Sequence, residues 1–186
     1  MKNNIIKTVL VISIFLVIFT IGINSQEKIK FEKPVLITSA GQSADVTLAR
    51  MLCKKNSIDA KSIPMATPSD MSGIKTLIIV AGFSSKGLGA AGVSREQEID
   101  RVESVIKYAK EKKIKIIMMH IGGKSRRGAQ SDDFNKLAAE AADYMLVVKQ
   151  GDEDQFFSNL AKKANIPMKS LDKIAEVMAP LGELFN

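Results

Sequence analysis

Short apolar runs alternate with amphipathic segments from Pro34 onward, and this constrains the chain more than any other feature. The runs PVLITS, TLIIVA, KIIMMH and YMLVV are nearly continuous in apolar and β-branched residues, as strands buried on both faces must be. Between them, residues 44–55 place Ala44, Leu48, Met51 and Leu52 on one helical face. Ser94 and Gln97 fit a capping box that opens a stripe of Ile99, Val102, Val105, Ile106 and Ala109. A helix capped by Ser131 or Asp132 carries Phe134, Leu137, Ala138 and Ala141. Ile58 to Ile63 predicts a weaker second strand, Asp154 to Ala164 a further helix, Ile166-Pro167-Met168 a short edge segment, and Ile174 to Phe185 a closing helix. The expected fold is an α/β three-layer open sheet of about five parallel strands with helices on both faces, flavodoxin-like or Rossmann-like. Ligands of such sheets sit beyond the carboxyl ends of the strands.

The first 25 residues stand apart. Lys2 and Lys7 precede a charge-free apolar stretch from Thr8 to Ile23, and polarity returns at Asn24. That is the order of a signal peptide, with an uncleaved anchor as the alternative. Either reading predicts an extracytoplasmic domain over residues 26–186, of about 160 residues, large enough to fold without disulfides. The single cysteine, Cys53, is expected to be a buried thiol, and it has no partner for a metal or redox motif. Setting aside Lys2 and Lys7 lowers the formal charge from +7 to +5, which favours anionic partners only slightly. Two tyrosines and no tryptophan leave little for base stacking, so nucleic acid is excluded as a partner. The membrane enters only through the N-terminal segment, if uncleaved.

Four loops leave the carboxyl edge, and three are rich in glycine, serine and cation: residues 39–43, 82–92 and 120–128. GFSSKGLGAAG contains G-x-G-x-x-G, but five residues separate strand and first motif glycine, and the next strand ends in His120 rather than an acid. A dinucleotide fingerprint is therefore excluded. Gly123-Lys124-Ser125 resembles the end of a phosphate-binding loop, yet Met118 stands where the first glycine belongs. No cofactor or protein-built metal site is expected. The candidate ligand residues are Ser39, Gly41, Gln42, Ser43, Ser84, Ser85, Lys86, Gly87, Gly89, His120, Gly122, Gly123, Lys124, Arg126 and Arg127. Glycines admit close backbone approach, and the cations would grip an anion.

The segments KPVLITSAGQSADVTLARML, GIKTLIIVAGFSSKGLGAAGVSREQEIDRV and IIMMHIGGKSRRGAQSDDF together resemble a family of exported bacterial proteins catalogued as domain of unknown function 6305. The resemblance implies export and a single α/β domain, and supplies no catalytic residue. The residues thus lead to an exported domain that binds a small anionic or polar ligand, accessory to transport or sensing, with a membrane transport or envelope protein as a further partner. The alternatives are a hydrolase or transferase in which Ser39 or Ser84 works with His120 as base, and a protein-interaction module.

Overall fold

The computed structural model describes residues 29–186. Segment 1–25, read above as a signal peptide or anchor, lies outside the described residues. Six parallel strands form one sheet: β1 (Val35–Ala40), β2 (Ala60–Ser62), β3 (Thr76–Ala81), β4 (Lys115–His120), β5 (Tyr144–Val148) and β6 (Met168–Leu171). Their order is β2-β1-β3-β4-β5-β6, the flavodoxin-like order extended by one strand. The edge segment near Met168 is thus a full sixth strand, aligned Met145 to Met168 and Val148 to Leu171.

Among the described residues six α-helices complete the layers: α1 (Asp45–Lys55), α2 (Ser85–Ala91), α3 (Arg95–Glu111), α4 (Ala129–Ala141), α5 (Phe156–Ala164) and α6 (Met178–Glu183). The strand runs bury both faces because alternate residues feed opposite cores. Leu36, Ile79, Met118 and Met145 pack with Val102 and Val105 of α3, Phe134 of α4 and Phe157 of α5. Ile37, Ile78, Ile117 and Leu146 pack with Val46, Ala49 and Leu52 of α1 and Leu181 of α6. Among the described residues no helix is long and apolar enough to cross a membrane.

Helix boundaries depart from the sequence reading in four places. The supposed loop 82–92 contains α2, whose N-cap Ser84 accepts a hydrogen bond from the Gly87 N–H at 3.0 Å. Helix α4 starts at Ala129 behind Gly128, ahead of the predicted cap, and α5 begins after Gln155 in a left-handed conformation rather than at Asp154. The closing helix divides into a 3-10 turn at Ile174–Val177 and α6. The Ser94–Gln97 box forms as expected, each side chain bonded to the other's backbone N–H.

Cys53 is buried in the α1 core, and burial pushes its thiol up to about 12. A thiol-specific disulfide reagent at pH 8 should therefore leave the native protein unlabelled and read one thiol after unfolding. Rapid native labelling would contradict this packing of α1.

Candidate functional site

The strand order reverses between β1, which connects to β2, and β3, which connects to β4, so the crevice beyond their carboxyl ends is where this fold places ligands. Here the chain fills it. Gln42 sits at φ 57° and forms an isolated antiparallel bridge with Phe83. Its Nε2 donates to Glu98 Oε1 at 2.9 Å and to the Pro64 carbonyl at 3.2 Å, while the Gly41 N–H donates to the same carboxylate at 3.0 Å. Glu98 is fully buried, and Arg101 neutralises it through two bonds of 2.8 Å. Arg101 also donates to the carbonyls of Ser39 at 2.5 Å and Ala66 at 2.7 Å. Gly87 is required for packing: a Cβ there would stand 1.9 Å from the Gln42 carbonyl oxygen.

The loop cations are similarly committed. Arg126 Nε donates to Asp45 at 3.1 Å and Nη1 to the Phe83 carbonyl at 3.1 Å, while Ser43 donates its hydroxyl to the same Asp45 oxygen at 3.1 Å. A Cβ at Gly122 would lie 2.2 Å from Arg126 Cγ, so this glycine makes room for the arginine. Arg127 donates to Asp132 and Asp154 at 2.8 Å each and to the Gly151 carbonyl, with its guanidinium 4.4 Å from the Phe156 ring centre. That arginine holds the Asp154 carboxyl down at about 2. Lys124 is exposed, with Glu153 at 3.8 Å, and Ser85, Lys86 and Gly89 lie on the surface of α2.

The serine–histidine pairings do not form. Ser39 follows Ile37 by two residues and shares its face of the sheet toward α1, whereas His120 shares the Met118 face and contacts Phe157, with ring centres 4.6 Å apart. The sheet stands between them. The Ser84 hydroxyl is the cap of α2, away from any bond to His120. His120 itself is fully buried, with Nε2 3.2 Å from the Gly123 carbonyl. In this arrangement the ring is closed off from solvent, and neither Ser39 nor Ser84 stands against it.

An open pocket of about 480 Å³ lies instead beyond β4, β5 and β6. Ile121, Val148 and Ile174 give it an apolar side, and Asp45, Ser125, Gln150, Asp172 and Lys173 give it polar groups. Of the residues singled out from sequence, Gly122 and Gly123 line it. Asp172 and Lys173 were missed because they follow β6, and an edge segment shorter than a strand points to no carboxyl-end loop. Ser125 stood in loop 120–128 and Gln150 in the fourth loop, residues 149–152, but neither residue type signals a ligand by itself.

Burial lowers the His120 pKa from its ordinary 6.5, and the nearby Arg127 charge adds to this, against the Gly123 hydrogen bond, which raises it. Folding thus favours the uncharged ring. Its contribution is complete above pH 6.5 and is lost as pH falls from there toward the lowered folded value. Urea unfolding should show stability dropping below pH 6.5, with a shallower drop in His120→Gln; identical slopes would contradict a buried neutral ring. Arg101→Met should cost about 3 to 5 kcal/mol by stranding Glu98, and a loss under about 1 kcal/mol would show that the buried pair does not hold the crevice.

Comparison with known proteins comes from structures and from a family model. Similar solved structures include a G-D-S-L family protein from Desulfitobacterium hafniense DCB-2, at 12% identity over 76% of this chain and 77% of that one, with a TM-score of 0.36. A GDSL-like lipase from Bacteroides thetaiotaomicron VPI-5482 matches at 14% identity over 73% and 66%, with a TM-score of 0.35. Likeness at this level says nothing about activity. No curated protein matches the chain. Residues 32–185 match the family model described as domain of unknown function DUF6305, and the chain belongs to that family.

Proposed function

We propose that the domain binds a small polar molecule, neutral or bearing an amine, in the pocket beyond β4, β5 and β6. One observation carries the reading: the open cavity of about 480 Å³ at the ligand edge, where Gln150, Ser125, Asp45 and Asp172 meet an apolar side. Its volume suits a small ligand, and a few polar groups against an apolar wall are how such sites fix orientation. Arg126 and Arg127, two of the cations expected to grip an anion, are paired with Asp45, Asp132 and Asp154, which favours the polar half of the sequence expectation over the anionic half. Asp45 and Asp172 on the pocket wall are paired with Arg126 and Lys149 through one oxygen each, and the other oxygen of each is left as an acceptor, which favours a donor-rich ligand over an anion. Export belongs to the same proposal and rests on the order of charge and apolar residues in segment 1–25.

A thermal-shift screen against amino acids, amines, polyols, sugars and carboxylates tests it. A neutral or amine-bearing hit at a hundredfold excess over its Kd should add about 2.7 kcal/mol of apparent stability. Gln150→Ala with Asp172→Asn should weaken that hit at least tenfold, with the unliganded melting temperature nearly unchanged. A panel in which only carboxylates stabilise the protein, or a hit indifferent to both substitutions, would overturn the assignment.

A further inference from the structure

The opposite end of the sheet carries a different site. A cavity of about 360 Å³ opens between the turn after Met71 and the end of α3, with Ser72, Lys75, Tyr108, Lys112 and Lys113 among its walls and no acid. Lys75 and Lys113 make no ion pair among the described residues, and Lys112 Nζ stands 5.8 Å from the Tyr108 ring centre. Their charge is therefore available, unlike that of Arg126 and Arg127 at the carboxyl edge.

The path of the chain places this cavity beside the start of the described residues. The Lys75 N–H donates to the Pro34 carbonyl at 3.0 Å, the Lys115 N–H donates to the Lys75 carbonyl at 3.1 Å, and Lys115 Nζ reaches the Lys30 carbonyl at 3.1 Å. Ile23, the end of the charge-free stretch, is seven residues before Lys30, a tether that spans at most about 25 Å when extended. An apolar segment lodged in a bilayer would hold this end of the sheet at the headgroups, where lysines gain most from anionic lipid.

We propose that the lysine-walled cavity of Lys75, Lys112 and Lys113 docks the domain on the anionic headgroups of a lipid bilayer. The full-length chain is titrated with vesicles of phosphatidylcholine alone and with about 30% phosphatidylglycerol. It is also titrated with inorganic phosphate and glycerol phosphate in solution. Anionic vesicles should bind at least about tenfold more tightly than neutral ones, and Lys75→Glu/Lys112→Glu/Lys113→Glu or 0.5 M salt should abolish the difference. The control Lys136→Glu/Lys162→Glu/Lys163→Glu, of equal charge change on α4 and α5, should keep it; circular dichroism confirms that both variants are folded. Equal binding to both vesicle types would overturn the proposal, because insertion of the apolar segment alone would then account for it. So would an equal loss in the control, which means diffuse charge, or displacement by dissolved phosphate without any vesicle preference.

Discussion

A carboxylate sealed from water organises the carboxyl edge of this domain. Glu98 projects from α3 beneath the reversal of strand order, fully buried, and must be neutralised and hydrogen-bonded to remain charged there. Arg101, one helical turn on, supplies the charge, and the Gly41 N–H and the Gln42 amide supply further donors. The same arginine ties down the Ser39 and Ala66 carbonyls, so one ion pair joins α3 to the ends of β1 and the segment after β2. Gln42 in turn takes a left-handed conformation that lets it bridge to Phe83 and receive Gly87 against its carbonyl.

This closure moves the candidate site sideways. With the β1/β3 crevice occupied by the chain's own side chains, an open pocket among the described residues lies over β4 to β6. Asp45 connects the two regions: it begins α1, holds Arg126, accepts from Ser43, and still borders the pocket. The glycines of the loops serve this internal packing. Gly122 clears Arg126 and Asp45, and Gly151 clears the His120 ring, which a Cβ would approach to 2.4 Å.

Much of the layering was legible in the sequence because doubly buried strands and stripes such as Val102, Val105 and Ala109 leave strong periodic signals. The capping box of α3 was legible for the same local reason. The site was less so. Arg126 and Arg127 look free in sequence, since Asp45 stands 81 residues from Arg126, and the partners of Arg127 lie in the first turn of α4 at Asp132 and in the connection before α5 at Asp154. Which face Ser39 and His120 occupy depends on strand phase, and a single position decides whether two side chains meet or lie on opposite sides of the sheet. Helix α2 escaped notice because Gly87 and Gly89 read as loop, although Gly87 is needed for contact with Gln42.

The two ends of the sheet differ in how their cations are used. Ion pairing consumes the arginines above the strands, while Lys75, Lys112 and Lys113 below them face open space. The central claim is that ligand enters over β4 to β6 rather than the β1/β3 crevice, and amide chemical-shift mapping of the isotope-labelled chain with a stabilising ligand addresses it most directly. The account predicts shifts at Gly122, Gly123, Ser125, Gln150, Asp172 and Lys173, with Gly41, Gln42, Ser84 and Gly87 unmoved. Shifts concentrated at Gly41, Gln42 and Gly87, with the β4 to β6 residues silent, would contradict it.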